Sequence, residues 1–361
     1  MAVAIHIMNG LRPSGMEKML ESSFQSWQEH GWEIVIVGSG AQHPFAQSLQ
    51  RVGYRVIIIP RIKSLSGILE LVKIIRQNKS DIIHNHSESF HGFIALISWF
   101  ASRKTPIVRT IHNCFQFRGI VKQKRKIQHL LETLVGVVRV SPSRDVQLNE
   151  RDNYNVSSHL IENWIDYNKI DQLALKNKVM SRNKNLLVSM VGNCNLIKDH
   201  AFALEVISNF NEIEVFHVGE LSRATNKELS ILSNLNHDGK LLHNGPSDRV
   251  LEIFAQSDLH IISSLHEGMP LVIAESVVLG IETWIRDAPG VQWARHLPGV
   301  RFFATQTELR LMLSQKLKTN FALSRISHFR TEEAKRFSPS RGIQQYTSLY
   351  NSLISKNVKE S

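Results

Sequence analysis

The sequence predicts an α/β protein made of two doubly wound, parallel-sheet domains. Three observations carry this reading. Short apolar runs alternate with helical segments along the chain. The runs are often β-branched and lack a clean polar alternation, as expected of strands covered on both faces. A polar, basic stretch at 168–185 interrupts the rhythm once, and the alternation then restarts. A length of 361 residues suits about two domains.

In the first half the predicted strands are "VAIHIM" (3–8), "WEIVIVG" (32–38), "YRVIIIP" (54–60), "DIIHNH" (81–86), "PIVRTIH" (106–112), "VGVVRVS" (135–141) and "SSHLIEN" (157–163). A helix is expected over 16–31, with Gly31 closing it. The second half gives "LLVSMVG" (186–192), "IEVFHVGE" (213–220), "KLLHNG" (240–245), "LHIISS" (259–264), "ETWIRD" (282–287) and "VRFFA" (300–304). Ser247 is expected to cap a helix "DRVLEIFAQSD" whose buried stripe is Val250, Leu251 and Phe254. The expected organisation is a first domain over 1–165, a helix and linker over 166–185, a second domain over 186–337 and a terminal helix over 338–361. Right-handed crossovers put ligands beyond the strand carboxyl ends, and two such domains are expected to face each other across a cleft.

Composition narrows the function classes. Two distant cysteines, Cys114 and Cys194, are neither a disulfide framework nor a metal cluster, which fits a reducing cytosol. No signal peptide is read at the start, and the longest apolar stretch, "FIALISWFA" (93–101), is too short to span a bilayer. The net charge of +11 points to an anionic partner without selecting one. Nucleic acid has only charge in its favour, so it is not expected. The segment 117–131 interleaves Ile120, Val121, Ile127, Leu130 and Leu131 with Lys122, Lys124, Arg125 and Lys126. It reads either as a basic amphipathic helix on anionic lipid or as a solvated helix face. A nicotinamide enzyme is disfavoured, because no G-x-G-x-x-G follows the first strand.

The stretch "SDLHIISSLHEGMPLVIAESVVLG" (257–280) parses as strand, turn and helix. Pro270 suits the first helical position and Gly280 the end. Amides from Gly268, Met269, Pro270, Leu271 and Val272 are then expected at a helix start that binds phosphate, with Gly268 allowing close approach. Glu267 sits in the turn and Glu275 in the second helical turn.

This stretch resembles the E-x7-E signature of the group-1 retaining glycosyltransferases, glycosyltransferase family 4. Members read roughly "SL-x-EG-x-P-L-V-x-x-E-A-x-x-x-G"; this chain has "SLHEGMPLVIAESVVLG". The resemblance covers nearly the whole chain, weakly in the first half and well in the second. It implies the two-domain GT-B fold and transfer of a glycosyl group from a nucleotide sugar, a UDP sugar first among the candidates, with no further cofactor and no metal. Glu267 is expected on the sugar and Glu275 on the nucleotide ribose. "VGNCNLIKDH" (191–200) resembles the diphosphate-binding segment. Lys198 stands at the lysine position, while Asn193 replaces the usual arginine, so Arg223 is a candidate for the missing charge.

"GLRPSGMEKML" (10–20) resembles the first glycine-rich loop, in which Ser14 replaces a glycine while Gly15 and Glu17 fit. "ENWID" (162–166) resembles the hinge, with Trp164 where glycine is usual; "RDAPGV" (286–291) resembles the following turn, with Arg286 for serine. The resemblance puts His112 near the transferring sugar. His84 and His86 line a cleft or hold structure, and a metal shared with His112 lacks a carboxylate–histidine framework. The expected acceptor is a glycan or lipid-linked glycan at the inner face of the cytoplasmic membrane. Two other readings stay open: a non-catalytic nucleotide-sugar binder on the same fold, and a sister enzyme such as an epimerase.

Overall fold

The computed structural model describes residues 1–114, 116–176, 185–318 and 335–360. The linker reading over 177–184 lies outside the described residues, as do Phe115 and Ser361. The chain divides into unit 1, Met1–Asp166 with Phe337–Ser361, and unit 2, Tyr167–Arg336.

Unit 1 runs β1 (Ala2–Met8), α1 (Gly15–Glu29), β2 (Trp32–Ser39), α2 (Ala46–Val52), β3 (Arg55–Ile59), α3 (Leu65–Asn78), β4 (Ile82–Asn85), α4 (His91–Ala101), β5 (Ile107–Thr110), α5 (Gly119–Leu134), β6 (Val138–Ser141), α6 (Arg144–Tyr154) and β7 (His159–Leu160). Unit 2 runs α7 (Tyr167–Lys176), β8 (Leu186–Val191), α8 (His200–Ile207), β9 (Ile213–Val218), α9 (Asn226–His237), β10 (Leu241–Gly245), α10 (Val250–Phe254), β11 (Leu259–Ile262), α11 (Leu271–Leu279), β12 (Glu282–Arg286), β13 (Val300–Phe303) and α12 (Gln306–Lys318). The last helix, α13 (Pro339–Glu360), packs on α1 in unit 1.

Both sheets are parallel. The first has seven strands in the order β3-β2-β1-β4-β5-β6-β7 and the second six in the order β10-β9-β8-β11-β12-β13. Strand order therefore reverses beside β1 and β4 in one unit and beside β8 and β11 in the other. Loops diverge at such points and leave a crevice beyond the strand ends. Apolar strand side chains fill the cores: Ile5, Ile7, Val35, Val37 and Ile83 in unit 1, and Leu186, Val188, Met190, Ile213 and Trp284 in unit 2.

Several local expectations need correction. Ser247 does not cap a helix: its hydroxyl accepts from Arg249 N two residues on, and α10 starts only at Val250. Of the expected stripe only Phe254 is fully buried, because five helical residues cannot present a full face. Pro270 stands one position earlier than expected, as the N-cap of α11 with an extended backbone. Trp164 is a packing residue: its Nε1 donates to Met19 O at 2.8 Å and its ring lies against Gly342. A Cβ at Gly342 would stand 2.3 Å from that ring, so glycine lets α13 settle there.

Helix α5 is turned against its simplest reading. Arg125, His129 and Glu132 face inward, while Ile120, Val121, Ile127, Leu130 and Leu134 are exposed. The buried charges are mutually paired. Glu132 bonds His91, Arg109 and Arg139; Arg125 meets Glu150 at 3.0 Å and Glu88 at 3.5 Å. Burial pushes the Glu132 carboxyl up, but Arg109, His129 and His91 outweigh it and hold the group well below the usual carboxylate range. Arg125 is thus a core residue, not part of a basic outer face.

Candidate functional site

In unit 2, the loops that follow β8 and β11 meet at the strand-order reversal. Leu265 N donates to Ile197 O at 2.7 Å, and Ser263 Oγ to Lys198 O at 3.1 Å. This contact brings together two residues 69 positions apart: Lys198 Nζ lies 2.6 Å from Glu267 Oε1. Ser264 Oγ donates to the same carboxylate oxygen at 2.6 Å. Glu267 is 7% exposed, so it is a held group and not a free loop acid.

The turn after β12 supplies the other side of that hold. Glu267 N donates to Pro289 O at 2.9 Å. Gly290 has φ +90, and a Cβ there would stand 1.8 Å from Glu267 O. Glycine is required at 290 both for its backbone and for this approach. Arg286, in the serine position of the same motif, pairs with Asp199 at 2.8 Å and stacks 3.8 Å over Phe202. Its charge is committed to structure.

Asn193 is similarly committed. Its Oδ1 accepts from Glu220 N at 2.9 Å, and Cys194 N donates to Glu220 O at the same distance. The loop after β8 is thereby tied to the loop after β9, which carries the exposed Arg223. Gly268, Met269 and Pro270 are buried; Leu271, Val272 and Glu275 are half-buried. Pro270 has no N–H, so it drops out of the expected amide group. Leu271 and Val272, as first residues of α11, have amides without intrahelical acceptors by position.

In unit 1, Gly15 opens α1 and is exposed. Ser14 hydrogen-bonds Glu17, whose carboxylate also accepts from Arg12 N at 3.3 Å. Glu17 thus shapes the loop after β1. Burial is the main cause that raises its pKa, against those hydrogen bonds.

The half-buried His112 follows β5 and joins a group of histidines. Register explains the group. His6 on β1 pairs with His84 on β4, and Asn85 on β4 pairs with Arg109 on β5. Side chains two apart share a face, so His84, His86, Thr110 and His112 lie with His6 on one side of the sheet. His6, Tyr346 and Tyr350 were not singled out from sequence; the signals were a histidine inside an apolar strand and two tyrosines four apart on a helix. His6, His84, His86, Thr110, His112 and Tyr346 line a pocket together with Met16, Trp27 and Trp164.

Three sets of side chains come close enough to share an ion: His6, His84 and His86; Cys194, His200 and His217; His91, His129 and Glu132. Their donor atoms already bond protein partners, as in His200 Nδ1 to His217 Nε2 at 2.9 Å and Cys194 Sγ to His217 Nε2 at 3.4 Å. Burial also pushes the Cys194 thiol up to about 12, away from thiolate.

Burial holds His6, His84, His86, His91, His200 and His260 neutral. It lowers His6 and His260 to about 3, His91 to about 4, and His84, His86 and His200 well below 6.5. In each case the unfolded chain binds a proton near pH 6.5 that the folded chain refuses. Stability is therefore present above that pH and falls as pH drops from about 6.5 towards the folded values, by up to about 1.4 kcal/mol per pH unit for each such group. The urea midpoint is expected to fall steeply between pH 7 and pH 5, before the carboxylates titrate. An unchanged midpoint over that range contradicts the burial argument.

The family model described as Glycosyltransferase Family 4 matches residues 13–169, in the half where motif resemblance is weaker. The chain is 24% identical over 250 residues to the Escherichia coli UDP-Gal:alpha-D-GlcNAc-diphosphoundecaprenol alpha-1,3-galactosyltransferase, a match spanning 64% of each chain. It is 22% identical to the Staphylococcus aureus capsular polysaccharide biosynthesis glycosyltransferase CapH, over 76% of this chain and 79% of that one. The structure of Anabaena HepE in complex with UDP superposes with a TM-score of 0.77 at 16% identity, over 98% of this chain and all of the other. Two parallel α/β units, the family match over residues 13–169 and these relatives make the chain similar to the group-1 glycosyltransferases of family 4, and its two units have the GT-B fold of the solved glycosyltransferases.

Proposed function

We propose that this glycosyltransferase takes a sugar from a nucleotide sugar, a UDP sugar in the first instance, and transfers it with retention to a hydroxyl of a glycan or lipid-linked glycan during cell-surface polysaccharide assembly. The observation that carries the reading is the Lys198–Glu267 pair at the start of α11, with Glu275 in the next turn. Lys198 and the first amides of α11 hold the diphosphate, Glu267 the sugar hydroxyls and Glu275 the ribose. His112 is assigned to the sugar. The UDP bound by HepE and the lipid diphosphate named for the E. coli relative support the donor and acceptor classes.

In the proposed step the bond from the anomeric carbon to the diphosphate oxygen breaks, and a bond to the acceptor oxygen forms on the same face. The acceptor proton passes to the departing phosphate oxygen. The protein contributes positioning and stabilisation of the diphosphate charge. That charge falls to Lys198 and the helix start, because Asn193 and Arg286 are spent on structure.

Unit 1 offers a surface suited to a lipid-linked acceptor. On α5, Ile120 and Leu134 are 75% and 70% exposed beside Lys124 and Lys126, and the adjoining α4 adds Phe93 and Phe100. Apolar side chains among lysines suit an anionic membrane surface, and the proposed location is the inner face of the cytoplasmic membrane. Among the described residues no helix is long and apolar enough to cross a membrane.

A thermal-shift panel of UDP, GDP and ADP sugars tests the donor. A ligand at 100 times its dissociation constant adds about 2.7 kcal/mol of stability. Glu275→Ala is expected to weaken binding of the stabilising nucleotide by about 1–3 kcal/mol; unchanged affinity by calorimetry removes Glu275 from the site. The membrane face predicts co-sedimentation with anionic vesicles at low salt, lost at high salt and reduced by Ile127→Glu with Leu130→Glu. Failure to sediment at low salt leaves α5 as an ordinary exposed face.

A further inference from the structure

The histidines of unit 1 form one unbroken hydrogen-bonded line. His112 Nε2 lies 3.2 Å from His86 Nδ1, and His86 Nε2 lies 3.1 Å from His6 Nδ1. His6 Nε2 lies 3.3 Å from the Tyr350 hydroxyl, which lies 2.6 Å from His84 Nδ1. His84 Nε2 lies 2.8 Å from Thr110 Oγ1, and that hydroxyl 2.7 Å from the hydroxyl of Tyr346. Each ring nitrogen of His6, His84 and His86 is used once, and His112 enters through Nε2. Each neutral imidazole has one N–H and one lone pair, so along His112, His86 and His6 the protons all point one way or all point the other.

Tyr350 decides which way. A phenol hydroxyl is a better donor than an imidazole N–H, and an imidazole nitrogen is a better acceptor than a phenol oxygen. The short contact, 2.6 Å to His84, is therefore the O–H···N bond, and the long one, 3.3 Å from His6, is the weaker N–H···O bond. Tyr350 donates to His84 and accepts from His6. His6 Nδ1 must then accept from His86, and His86 Nδ1 from His112.

We infer that Tyr350, through His6 and His86, fixes His112 as its Nε2–H tautomer and leaves Nδ1 as a hydrogen-bond acceptor. Nδ1 has no hydrogen-bond partner among the described residues, and His112 is half-exposed. It would accept a proton-bearing group, a sugar hydroxyl, and not a phosphate oxygen, which needs a donor. Tyr350 is a positioning residue, and its helix reaches back from the end of the chain to set a side chain at 112. This refinement rests on the assignment of His112 to the sugar.

Tyr350→Phe tests it. The ring keeps its stacking on Trp27 and its edge contact with Trp32, but the hydroxyl is gone. His6 Nε2–H would then be a buried donor without an acceptor, which is costly. Moving that proton to Nδ1 restores the balance and reverses each bond as far as His112. Nitrogen-15 NMR of histidine-labelled, ligand-free protein is expected to find His112 as Nε2–H in the wild type and Nδ1–H in Tyr350→Phe. Tyr346→Phe removes the far end of the line only and is expected to leave His112 as Nε2–H. An Nδ1–H tautomer in the wild type, or the same tautomer in wild type and Tyr350→Phe, overturns the inference. The measurement needs no turnover, so a protein that transfers no sugar fails the functional reading and leaves this one standing.

Discussion

The hold on Glu267 is the constraint from which the second unit's site follows. Its carboxylate is gripped by Lys198 and Ser264, its amide by Pro289, and its carbonyl by the close passage of Gly290. Those contacts come from three loops at the carboxyl edge of one parallel sheet. The site therefore depends on the sheet's strand order, which brings the loops after β8 and β11 together. In the proposed donor site, a diphosphate would compete for the ammonium of this pair and leave the carboxylate to sugar hydroxyls.

The first unit solves a different problem. Its sheet carries polar side chains on both faces near β4 and β5. One face buries imidazoles in a line closed by two tyrosines of α13; the other buries Arg109 among acids on α5 and its neighbours. The neutral His6, His84 and His86 can be buried because both nitrogens of each find a partner, and the charges can be buried because each is paired. The inward charge on α5 has a further consequence, since it leaves that helix's apolar residues outside.

Much of the fold was legible in the sequence. Apolar runs marked the strands, because parallel strands buried on both faces leave a strong local signal. In the site, the E-x7-E stretch and Lys198 were legible as motifs, but their contact was not, since 69 residues separate Lys198 from Glu267. Departures were visible without their reasons. Asn193 and Arg286 look like losses in sequence and prove to be bound to Glu220 and to Asp199. The burial of Arg125 on α5 was not legible, because interleaved lysines and apolar residues do not say which face turns inward. The histidine line was half legible: "HNH" gives two rings on one face by period two, but His6 joins them only through the sheet register, and Tyr350, 344 residues from His6, only through its place on α13.

The most direct test of the account is the turnover of Lys198→Ala with a UDP sugar and a diphospholipid-linked glycan. If the lysine stabilises the leaving diphosphate, turnover falls by about 100-fold or more, a larger loss than that of stability. Turnover equal to that of the wild type would contradict the account, because the pair at the start of α11 would then be a structural salt bridge and not part of the donor site.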